Sequence, residues 1–176
     1  MIALGIVALA AAVHAGTFKW GTNMGQNLYK AGTDTKLGTS YTAYLFDATT
    51  YAQSKAVSDF TGSGIDFSKK MDSATVTSSG TLSAKSLDVT VDQSYTMYLV
   101  IVDGDNVYIG PERTASGPAD GKSSNVYFST TASSKLAAVT TGYNGAGWYT
   151  ASVPEPTSGL LLLLGVAGLA LKRRRV

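Results

Sequence analysis

The sequence contains no cysteine. Disulfides therefore cannot staple the fold, and thiol chemistry is excluded. The one histidine is His14, inside an apolar N-terminal run that reads as a removable leader. Without that leader the chain has neither Cys nor His. That excludes Ser-His-Asp and Cys-His catalysis and the usual zinc sites. A large excess of one charge is missing too: 14 Lys+Arg stand against 12 Asp+Glu, a formal net charge of +2. Four of the cations are Lys172, Arg173, Arg174 and Arg175 at the C-terminal end. Residues 16–152 hold 10 Lys+Arg and 11 Asp+Glu, so this part is near −1. It lacks the basic face that nucleic-acid binding needs. Long apolar runs occur only at the two ends.

The first of them, residues 1–15, reads "MIALGIVALAAAVHA". A small, apolar stretch with small residues at −3 and −1 is the pattern of a secretory signal peptide. Val13 and Ala15 fill those positions, so cleavage is expected between Ala15 and Gly16. The run carries no Lys or Arg, which leaves the amino terminus as its only positive charge. The second run, Gly159–Leu171, is 13 residues of Gly, Leu, Val and Ala. As a helix it would span ~20 Å at ~1.5 Å per residue. A bilayer core of ~30 Å takes ~20 residues, so the run is a short anchor. A helix of a soluble core would show a polar stripe for water, and this one has none. Lys172–Arg175 would stay on the cytoplasmic side, leaving the preceding domain outside. Just before the run, Pro154 and Pro156 remove two N–H donors and favour extended backbone. Glu155 between them resists being drawn into lipid.

Between the ends, residues 16–152 form one domain's worth of chain, enough to bury a core. Ser and Thr supply 38 of these residues. Short alternating runs separated by turn residues indicate an all-β fold. The expected architecture is a single, mostly antiparallel β-sandwich-like domain with one short helix. An N-terminal signal helix and a C-terminal hydrophobic helix would flank it. Strands are expected at Tyr41–Phe46, Ser86–Val91, Asn106–Ile109, Asn125–Ser129 and Trp148–Ala151. Tyr95–Val102 is apolar enough for a central strand buried on both faces, and Asp103–Asn106 supplies hairpin turn chemistry. Ser73–Lys85 reads as a polar hairpin turning near Gly80. Within "TTYAQSKAVSDF", Thr49 or Thr50 would cap a helix that turns Ala52, Ala56 and Phe60 inward, with Gly62 and Gly64 stopping it. Gly110–Ser124 reads as an exposed loop, and Ser133–Val139 as a second short helical turn.

Few residues in the domain suggest chemistry. Asp103 and Asp105 could offer oxygens to calcium, but the loop's position-12 Glu is replaced by Thr114, so a plain turn is the stronger reading. Strand tyrosines are expected in packing. Tyr143, Trp148 and Tyr149, near glycines, are the more plausible exposed set for a sugar face, though they could equally form the closing strand. Glycoside hydrolysis needs two paired carboxylates. The domain has one glutamate, Glu112, and no spacing that singles out a pair, so neither an enzyme nor a cofactor is expected.

Val153-Pro154-Glu155-Pro156, then Gly159–Leu171, then Lys172–Arg175 together resemble the PEP-CTERM sorting signal of Gram-negative bacteria. The resemblance covers residues 153–176. It implies passage through the secretion machinery, temporary retention in the inner membrane, and recognition of Val153–Pro156 by exosortase. Release to the cell surface or extracellular polysaccharide would follow. The expected role is a structural or adhesive component of the envelope or biofilm matrix. A carbohydrate- or calcium-binding surface module is the alternative.

Overall fold

The computed structural model describes residues 15–23, 26–128, 143 and 145–151. Nine strands appear among them: β1 (Ala15–Gly21), β2 (Thr42–Asp47), β3 (Asp72–Thr75), β4 (Lys85–Thr90), β5 (Ser94–Asp103), β6 (Asn106–Ile109), β7 (Arg113–Ser116), β8 (Ser123–Tyr127) and β9 (Gly147–Thr150). One helix, α1 (Gln53–Thr61), and a 3-10 turn at Phe67–Lys69 complete the set. A three-stranded sheet has the order β4-β1-β8. A six-stranded sheet has the order β3-β2-β5-β6-β9, with β7 also on β5. All pairings are antiparallel except β1 with β8.

Alternation along the strands builds two cores. Phe18, Trp20, Val89 and Val126 of the smaller sheet meet Leu45, Met97, Leu99, Ile101, Tyr108 and Trp148 of the larger one. The intervening residues of the larger sheet, Phe46, Tyr98, Val100, Val107, Ile109 and Tyr149, face the other way. There Ala56 and Val57 of α1 cover them. β5 is therefore buried on both sides, as its near-continuous apolar sequence requires. Each such Leu or Val contributes about 1.5–3 kcal/mol by leaving water. Three layers result: helix, six strands, three strands.

Local chemistry explains the turns and corrects three expectations. Gly104 has φ +58° at the first position of the two-residue β5–β6 turn, where glycine enters the left-handed region freely. The helix is not capped by Thr49 or Thr50. Asp47 takes the Thr49 N–H at 3.0 Å and its hydroxyl at 2.7 Å, so the threonine belongs to a turn. α1 starts at Gln53, with its N-cap at Ala52, two or three residues later than expected; Ala52 is exposed and gives no side-chain cap. Ser73–Lys85 does turn at Gly80, where φ is +77°. Its arms do not pair: β3 joins β2 and β4 joins β1, so the segment crosses between sheets. Finally, Gly110–Ser124 is not all loop. Gly110 donates to the Leu99 carbonyl at 2.7 Å, and β7 then continues beside β5 at Ser94–Met97. Pro111 interrupts the return strand because it has no N–H to give. The turn expected at Ser133–Val139 and both terminal helices lie outside the described residues.

Candidate functional site

The sorting motif is approached through β9. Trp148 enters the inter-sheet core, 5.5 Å from Tyr108 between ring centroids, while Tyr149 enters the helix-side core. Thr150 donates its hydroxyl to the Asn106 side-chain carbonyl at 2.7 Å. Ala151 donates its N–H to the Asp105 carbonyl at 2.9 Å. The strand is thus locked on both faces and at its end. In the sequence only Ser152 separates Ala151 from Val153. Val153–Pro156, Gly159–Leu171 and Lys172–Arg175 themselves lie outside the described residues. Among the described residues no helix is long and apolar enough to cross a membrane.

The expected exposed aromatic set is corrected in part. Trp148 and Tyr149 are buried core residues, because β9 closes the large sheet and each ring finds a packed layer. Tyr143 is 38% exposed, and its hydroxyl donates to the Gln53 side-chain oxygen. Gln53 in turn donates to the Gly110 carbonyl at 2.6 Å, which ties α1 to the break between β6 and β7.

Asp103 and Asp105 sit on the β5–β6 turn and do different work. Asp103 Oδ1 accepts the Tyr41 hydroxyl at 2.8 Å. The Lys30 ammonium lies 5.5 Å from the centre of the same ring. Tyr41 foremost, with Asp103 assisting, raises the Lys30 pKa above the ordinary lysine value. Asp105 is exposed and contributes its backbone carbonyl to Ala151. Among the described residues no three His, Cys, Asp or Glu side chains gather as metal ligands would. Beside Tyr41 an open depression of about 230 Å³ is lined by Ser40, Thr42, Tyr44, Phe67 and Val102. Tyr44 and Phe67 rings pack there at 4.3 Å between centroids. Sequence reading had no means to find this hollow, since its walls come from three separate segments.

Ala15 and Gly16, the expected cleavage pair, are the first two residues of β1. Gly16 is buried, and a Cβ there would run into Pro118.

The β-rich domain is followed in sequence, from Ser152 on, by the run that resembles a sorting signal. Comparison with protein families supports this for the tail: the model of the PEP-CTERM protein-sorting motif matches residues 152–175. A search of curated proteins returns no match to the chain. The motif implies an exported protein sorted by way of the membrane, with exosortase as its processing partner.

Proposed function

We propose that this is a surface-sorted protein whose domain, residues 16–152, serves a structural or adhesive role in the cell envelope or extracellular polymer matrix. The observation that carries this reading is the sorting motif at residues 152–175, which in the sequence is separated from the end of β9 by one residue, Ala151. Secretion delivers the domain outward. The short apolar run retains it in the inner membrane, and exosortase frees it at Val153–Pro156. Lys172–Arg175 hold the tail's orientation during that interval. The final location is the cell surface or the extracellular polymer. Expression in paired hosts with and without exosortase, followed by fractionation, tests this. The protein leaves the inner membrane only in the host that has the enzyme. Equal release from both hosts would overturn the reading.

A second reading, a carbohydrate-binding surface module, is favoured by the hollow at Tyr41, Tyr44 and Phe67. Its aromatic rings and flanking hydroxyls suit a sugar ring, whose faces are apolar and whose edges are polar. Saturable glycan binding that is lost in Tyr44→Ala would support it.

A further inference from the structure

The bond expected to be cut by signal peptidase lies inside a strand, not ahead of one. β1 begins at Ala15 and is the middle strand of its sheet. Ala15 is in register with Thr90 of β4. Its carbonyl accepts the Gly121 N–H at 3.3 Å on the β8 side. Thr17 donates its N–H to the Lys122 carbonyl at 3.0 Å. Gly16 is buried, with the Pro118 ring carbons 2.8 and 2.9 Å from where a Cβ would stand. A protease that grips its substrate as an extended chain needs those backbone groups and that space for itself. Here β4, the Gly121–Lys122 turn and Pro118 already occupy them.

The strand registers also separate the entry and exit of the chain. Ala15 lies beside Thr90, just before β5 starts, and Thr90 donates its N–H to the Tyr95 hydroxyl at 3.0 Å. Ala151 lies beside Asp105, just after β5 ends. β5 has 10 residues, so about 30 Å separates its ends at ~3.3 Å per residue. From Ala151 to Gly159 the chain can reach at most about 28 Å. At the entry the apolar run of residues 1–15 and β1 share Ala15. The first and last described residues, Ala15 and Ala151, are thus set apart along β5.

We infer that removal of the leader must precede pairing of β1, and that the folded domain shields its own Ala15–Gly16 bond. The inference rests on reading residues 1–15 as a signal peptide. A chain that folds before it is cut keeps its leader. Ala15 serves the peptidase, whereas Gly16 serves the fold by letting Pro118 approach.

The test uses the full-length chain in detergent micelles with purified signal peptidase, followed by intact mass over time. Three forms are compared: the native sequence after folding, the Leu99→Asp variant, and a variant with Gly-Ser-Gly-Ser inserted between Ala15 and Gly16. Leu99→Asp buries a charge far from the bond and keeps the chain unfolded. Near-ultraviolet circular dichroism verifies which forms are folded. The unfolded variant is expected to lose residues 1–15 at least about 100-fold faster than the folded native chain, since cutting then waits for local opening. The insertion moves the bond out of β1, so that folded form is cut as fast as the unfolded one. Equal rates for the folded native chain and Leu99→Asp would overturn the inference. Failure to cut Leu99→Asp after Ala15 would instead overturn the signal-peptide reading, and the inference with it.

Discussion

At the residue scale, the Asp72 carboxylate accepts from Trp20, Ser73 and Lys85. Its Oδ2 accepts the Trp20 indole N–H at 2.9 Å, and its Oδ1 pairs with the Lys85 ammonium. One carboxylate thus links the two sheets. Burial pushes its pKa up, but the Lys85, Trp20 and Ser73 hydrogen bonds outweigh burial and hold it below the usual carboxylate range. Trp20 is fully buried, so losing its acceptor leaves an N–H with no partner. Asp72→Ala should therefore cost about 1–3 kcal/mol in urea unfolding. Lys85→Met removes only a half-exposed partner and should cost less than about 1 kcal/mol. Equal losses would show that the ion pair, not the indole bond, is the tie. No local pattern announces this contact, because Trp20 and Asp72 are 52 positions apart. The same is true of Tyr41 with Asp103, 62 positions apart.

At the element scale, what the sequence discloses depends on the range of the cause. β5, the Asp103–Asn106 turn and β6 were legible, because burial on both faces and glycine-containing turn chemistry are written into consecutive residues. β4 was legible by its alternation: Val89 is buried while Ser86, Asp88 and Thr90 are exposed. The partner of a strand is set by distant chain, and there reading failed. The Gly80 turn was found, yet β3 and β4 went to different sheets. The helix start shifted because Asp47 competes for Thr49. β7 was missed because three of its four residues, Arg113, Thr114 and Ser116, are polar and the strand owes its extended form to pairing with β5. In the candidate site, the motif was legible as an ordered run of residues and β9 as a strand before it, while the pairing of β9 with β6 was not. Burial on both faces also makes the large sheet's centre the costliest place for a cavity. Leu45→Ala should destabilise by about 2–5 kcal/mol in denaturant melts. Val91→Ala, at a half-buried position beyond β4, should cost clearly less.

At the scale of the whole molecule, titration sets the range of pH over which the domain holds together. Lys55 and then Tyr51 lower the Asp59 pKa, and Asp72 is lowered as described. A carboxylate with a depressed folded pKa stabilises above its unfolded value of about 4 and loses that contribution as pH falls through the folded value. Tyrosines act at the other limit. Burial, with help from Asp59, pushes Tyr51 up to about 12, and burial raises Tyr98 and Tyr108. Their contribution is complete below the unfolded value of about 10 and is lost as pH rises from there through the folded values. Unfolding free energy should thus be flat between about pH 5 and 9, then fall on both sides. A chevron or urea series across pH checks this, and a steady rise above pH 10 would contradict it.

The central claim is that the β domain is exported, folds once its leader is removed, and is then released at its C-terminal motif. Its most direct measurement is the intact mass of the protein recovered from the surface of a host that has exosortase. The expected mass lacks residues 1–15 and the segment beyond the Val153–Pro156 region. A mass that retains Gly159–Val176 would contradict the account and make the tail a permanent anchor.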